Sequence, residues 1–283
     1  LKVRALKRAR SVATMALANV PDLAKFDVIL KSGSSIKGAA DIVDNLRHKG
    51  FCTIDPGLDT DVLAKAVVEV EDLEGANRMR KTPELLADGL LGAEGSSKII
   101  EVGFPETDAV FNNLNTCNET LTSIFSDTAS MLDDLGIFCT QRTVGIVHET
   151  GVSEDEGSLG EDEALNWLSI FQRHRIMMIL NLSTVTGTLE LDPFEEDAVS
   201  YEVPTPPGSV ILVRCDAMTH KHFANSKAFL LTCFLLEEPR TASRSATLLR
   251  YENSTPCAKA VQDWVDDRMR ELKEEETEYG CIS

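Results

Sequence analysis

The stretch DAMTHKHFANSKAFLLTCFLL, Asp216–Leu236, decides how the rest of the chain is read. Its second half, KAFLLTCFLL (227–236), is an apolar run bounded by polar residues and reads as a buried strand. Its first half sets His220 and His222 two residues apart, just ahead of that strand. At this spacing the two imidazoles are either metal ligands at the mouth of a β-barrel or polar residues of a surface turn. Immediately upstream, Pro206-Pro207-Gly208 turns the chain into another apolar run, GSVILVR (208–214). A strand, a histidine-bearing loop and a second strand are therefore expected in succession.

Working outward, IFCTQRTVGIVH (137–148), HRIMMILNLS (174–183), GTLELD (187–192) and AVSYEV (198–203) read as further strands. They are short, apolar or β-branched, and punctuated by Gly, Pro, Asp or Asn. The region before them is mostly helical. GAADIVDNLRH (38–48) has helical spacing, KGFCTID (49–55) is a short strand closed by Pro56-Gly57, and Asp59 is placed to cap a helix that follows it. A second long helical stretch, from Thr107, is ended by Gly136, and a short helix is expected around 163–171 within a loop rich in Glu and Asp. Near the C-terminus, Val261, Trp264, Val265, Met269 and Leu272 share one face of an amphipathic helix that suits docking. Strands after helices make an α+β fold built on a sandwich or barrel. The chain divides into a basic arm (1–37), a central β domain (38–250) and a C-terminal helix (251–283).

Composition bounds function. With 283 residues, 43% of them hydrophobic, the chain can bury one large core. A net charge of −18 argues against nucleic acid, whose phosphates require a basic face. No apolar run approaches the roughly 18 residues of a membrane span. Seven cysteines without a CxxC pair, an odd total, point to an intracellular, reducing compartment rather than a disulfide framework. Residues 1–21 carry five basic residues and no acid, as in a targeting segment or a helix lying on an acidic surface. A protein partner is expected through Leu1–Arg10 or through the C-terminal helix, the first contact weakening with salt. Serine-hydrolase elbows, Walker loops and dinucleotide fingerprints are absent.

Taken as one unit, TPPGSVILVRCDAMTHKHFANSKAFLLTCFLLEE resembles the distal half of the double-stranded β-helix of the iron(II)/2-oxoglutarate oxygenases. The order His220, Asn225, Lys227 and then an apolar strand is similar to the phytanoyl-CoA-hydroxylase branch, and prolyl hydroxylases are close to it. LRHKGFCTIDPGLDTDVLAKAV looks like the entry segment of that family, and RIMMILNLSTVTGTLELDP like its central strand pair. The likeness covers about residues 38–238. It implies a jelly-roll, cupin-like double-stranded β-helix with N-terminal helices and a C-terminal amphipathic helix. It also implies iron(II), 2-oxoglutarate as co-substrate, and hydroxylation of a small molecule or a protein side chain.

In such a family two histidines and a carboxylate hold the iron. The first pair falls on strand positions i and i+2, which point the same way. Here that pair is His148 and Thr150, a hydroxyl where a carboxylate belongs, with His220 as the distal ligand. Glu149 would face away from His148. Glu154 or Asp155 of the acidic loop is an alternative carboxylate, and His174 and His222 are alternative imidazoles. No catalytic residue is expected beyond the metal ligands. For 2-oxoglutarate the matching residues are Lys227, Asn225 and Arg214, with Arg175 a further candidate; a bidentate Arg on the last strand is missing. His148 and His220 are expected to point into one cavity between two facing sheets. The missing carboxylate and Arg point to the other reading, a catalytically inactive scaffold or binding subunit of a larger assembly.

Overall fold

A computed structural model describes residues 26–30, 35–103, 112–153, 157–238 and 255–280. The basic arm of residues 1–10 and the acidic residues Glu154 and Asp155 lie outside them. The N-terminal part comprises β1 (Val28–Ile29), α1 (Ser35–Lys49), β2 (Phe51–Asp55), α2 (Thr60–Gly75), β3 (Arg80–Lys81), the single turn α3 (Glu84–Ala87), β4 (Lys98–Val102) and α4 (Asn112–Leu132). Asp59 caps α2 by accepting the Asp61 N–H at 2.7 Å. Leu63, Ala66, Val70 and Leu73 give that helix its buried stripe. After α4 a short 3₁₀ turn ends at Gly136, whose φ of 72° is the left-handed conformation glycine favours.

The remaining elements are β5 (Cys139–Arg142), β6 (Gly145–Glu149), α5 (Glu161–Arg173), β7 (His174–Asn181), β8 (Gly187–Pro193), β9 (Tyr201–Thr205), β10 (Val210–Arg214), β11 (Met218–Phe223), β12 (Phe229–Glu237) and α6 (Pro256–Gly280). A large sheet runs in the order β1-β2-β10-β7-β12-β6-β4-β3, with β5 also beside β12; a small sheet runs β11-β8-β9. From β7 the chain passes to the β8–β9 hairpin, back to β10, out to β11 and back to β12, crossing between sheets as a jelly roll does. The expected α+β double-stranded β-helix is what forms.

Alternation along the strands produces two cores. Met178, Leu180, Leu212, Leu231, Cys233 and Val147 face outward and pack under α1, α2 and α4. Their neighbours Met177, Ile179, Ile211, Leu230, Phe234 and Ile146 face inward, toward Leu189, Leu191, Val203 and Met218 of the small sheet. One departure matters for function. Residues 218–223 were expected to be a loop, yet they form β11, paired along its whole length with β8. Met218, His220 and His222 are its buried set, and their polarity hides a period of two that apolar residues would advertise. The helix expected around 163–171 in the link between β6 and β7 does form, as α5, and it turns Ala164, Trp167, Leu168 and Phe171 into the inner core. The free edge of β11 is met by the segment after α3, where the His222 N–H donates to the Leu91 carbonyl at 3.0 Å.

Candidate functional site

Four of the five histidines, His148, His174, His220 and His222, are at most 4% exposed, and all belong to the inner region between the sheets. His148 stands on β6 opposite Leu230 and Ile99, both inner-core residues. Its Nδ1 is hydrogen-bonded to the Ser96 hydroxyl and its Nε2 to the Thr232 hydroxyl, each at 2.8 Å. A neutral imidazole has one donor and one acceptor, so both are used. Burial, and after it the proximity of His222 and His220, pushes His148 down to about 3. Thr150 shares the inward face, but its hydroxyl accepts the Ala228 N–H at 2.7 Å.

Glu149 turns the other way, as the strand period requires. Its carboxylate pairs with Lys98 at 3.0 Å and with Lys227 at 3.3 Å on the outer face. Lys227 also binds the Glu74 carboxylate at the end of α2. The lysine expected to hold 2-oxoglutarate is therefore placed outside the sandwich, engaged by two carboxylates. Asn225 is exposed in a bend. Arg214 is gripped by Asp216 through two bonds of 3.0 and 2.8 Å at the far end of β10. Arg175 binds Glu237 at 2.6 Å. The structure brings none of these four toward His148. Inward positions of β12 carry Leu230, Thr232, Phe234 and Leu236, with no cation for a carboxylate ligand.

On β11 the picture differs. His222 Nε2 is hydrogen-bonded to the Thr205 hydroxyl at 2.9 Å, while its Nδ1 has no partner. His220 has none at either nitrogen. Burial lowers both to about 4; for His220 the Leu90 backbone and Asp88 oppose part of the effect. His174 closes the group. Its Nδ1–H donates to the Phe171 carbonyl at 2.7 Å, which fixes the tautomer and leaves Nε2 a lone pair. Its ring lies edge-on between Phe171 and Phe234, with centroids at 5.6 and 5.4 Å, and burial followed by His220 pushes it to about 3. His220 and His174 both line a cavity of about 170 Å³ that reaches the surface beside Asp88 and Lys221.

Iron(II) in the oxygenases that the sequence resembles needs three convergent donors, and the described residues do not supply them. Among the described residues no three His, Cys, Asp or Glu side chains are arranged to hold a metal ion. His148 has both nitrogens committed, Thr150 replaces the carboxylate and spends its hydroxyl on the backbone, and Glu149 faces the opposite layer. Ser96, Thr205 and Thr232 are the partners that sequence reasoning missed. Thr232 left one signal, a lone hydroxyl inside FLLTCFLL; Ser96 left none.

No family model matches the chain, and no curated protein matches it. Solved structures do. A Trichoplax adhaerens prolyl hydroxylase, determined with a peptide fragment of the hypoxia inducible factor oxygen degradation domain, is 15% identical; the match covers 72% of this chain and 91% of that one, with a TM-score of 0.53. A Pseudomonas putida prolyl-4-hydroxylase is 14% identical over 70% of this chain and 99% of its own, with a TM-score of 0.50. At such identities the likeness is one of fold. With the two-sheet crossing pattern, it shows that the chain has the jelly-roll double-stranded β-helix fold of these two hydroxylases.

Proposed function

We propose that this chain is a non-catalytic member of that fold, a binding or scaffold module whose interior is held by hydrogen bonds instead of metal coordination. One observation carries the reading: both nitrogens of His148 are bound by hydroxyls, and the position two residues on is a threonine tied to backbone. A lone pair shared with a hydroxyl proton is not offered to a metal, and recruiting it would leave Ser96 or Thr232 unpaired in the core. The lack of an inward cation on β12 agrees, because a dicarboxylate needs a charge-assisted partner.

One observation favours a hydroxylase. His220 is unpartnered at both nitrogens and His222 at Nδ1, as imidazoles awaiting a metal would be. That reading needs Glu154 or Asp155, both outside the described residues, as the carboxylate ligand, and its substrate is a small molecule or a protein side chain. Anaerobic incubation with iron(II), followed by metal analysis and by 2-oxoglutarate decarboxylation without added substrate, separates the two. The non-catalytic reading expects neither stoichiometric iron nor turnover; iron at one equivalent with turnover abolished by His220→Ala establishes the hydroxylase.

A further inference from the structure

The cavity beside His220 is built like a ligand site, although nothing in the non-catalytic reading requires it to be one. Its floor is formed by His220, His174, Cys215 and Met218, and its rim by Asp88 and Lys221. His220 is 4% exposed, and neither ring nitrogen makes a well-formed hydrogen bond, the Leu90 backbone lying nearest. A buried, unpaired polar group is costly unless something satisfies it. We propose that this cavity binds a small, uncharged, ring-sized molecule carrying one O–H or N–H donor, a phenol or an azole in chemical class. The inference rests on the non-catalytic reading and names what the interior would hold.

Three features select that class. The volume, about 170 Å³, is close to the roughly 150 Å³ that admits a benzene ring in an engineered cavity. Hydrogen bonding asks for a molecule that both gives and takes. His174 presents a lone pair at Nε2 because its Nδ1–H is spent on the Phe171 carbonyl. Neutral His220 adds one donor and one acceptor. A phenolic hydroxyl donates once and accepts from a ring N–H, which matches this set. Charge then excludes alternatives. The floor holds no lysine or arginine for an anion and no carboxylate for a cation, and at the rim Lys221 stands with Asp88, so neither sign of charge is favoured there. An ammonium ion would give up its hydration for at most two imidazole lone pairs among sulfur and carbon.

The test uses the full chain with three probes: phenol, benzene and benzoate. Binding is read by titration calorimetry and by the ¹⁵N imidazole signals of His220 and His174. The proposal expects saturable one-to-one phenol binding that shifts both signals, with benzoate at least ten-fold weaker. His220→Leu should weaken phenol about ten-fold and leave benzene unchanged. Benzoate binding as tight as phenol, no saturable phenol binding, or phenol binding indifferent to His220→Leu would overturn it. Should His220→Leu fail to fold, Cys257→Phe, introduced from the partly exposed wall of the same cavity, is expected to abolish binding of both phenol and benzene, and retained binding refutes the site. Iron-dependent 2-oxoglutarate turnover in the same protein removes the non-catalytic reading whatever phenol does. Absence of both turnover and phenol binding removes only the ligand.

Discussion

At the residue scale, His148 is held between two hydroxyls, and its neutral ring can donate to only one of them. Replacing Thr232 by Val, which is similar in shape, leaves Nε2 unpaired in the core and should cost about 1–3 kcal/mol in urea denaturation. Ser96→Ala should cost a similar amount. The double variant should be less destabilised than the two losses summed, since the ring is then free of any fixed tautomer. Full additivity would mean that the two bonds do not communicate through the imidazole. Lys227 supplies the contrast. It is half exposed, and its removal leaves Glu149 paired with Lys98, so Lys227→Ala should cost no more than about 1 kcal/mol. A loss several times larger would show that the Glu74–Lys227–Glu149–Lys98 network acts as one unit.

At the scale of elements, the segment after α3 meets the open edge of β11, and α5 packs against that segment. Phe171 of α5 lies against Gly89, where an added Cβ would overlap the aromatic ring. Gly89→Ala should therefore destabilise by about 1–3 kcal/mol, as overpacking does. Combining it with Phe171→Leu should recover part of that loss, and strict additivity in a double-mutant cycle would contradict the contact. The same elements mark where the sequence is legible. Alternation and apolar runs located β6, β7, β8, β10 and β12, because each has an interior of large apolar side chains. Asp59 and Gly136 marked helix ends through their own backbone chemistry. By contrast, β11 reads as a loop because its buried positions include histidines, and β4 and α3 leave too short a pattern to read. The candidate site was partly legible. His148, Thr150 and the outward turn of Glu149 follow from a period of two, whereas the engagement of Lys227 by Glu74 joins residues 153 positions apart and leaves no local trace.

For the whole molecule, the four buried histidines make stability depend on pH. In the unfolded chain they take up protons near 6.5, but in the native protein only near 3 to 4. Below pH 6.5 the unfolded state therefore binds more protons, and stability falls as pH falls until the native pKa values are reached. At pH 5 each buried histidine therefore lowers stability by an amount on the order of 1–2 kcal/mol, and the four act in the same direction. Asp27 and Glu74, held below their usual 3.8 and 4.5, weaken the fold only at lower pH still. Circular dichroism should show acid unfolding between pH 6.5 and 4, and a protein fully folded at pH 4 would contradict the burial of these rings as neutral groups. The central claim, that the interior coordinates no metal, is tested most directly with a paramagnetic ion. Manganese(II), a surrogate for iron(II) at oxygen and nitrogen sites, is titrated anaerobically while the imidazole signals are followed by NMR. The hydroxyl-bound His148 predicts no saturable broadening at His148 or His220 up to millimolar metal. Saturable, one-equivalent broadening confined to those two rings would contradict it.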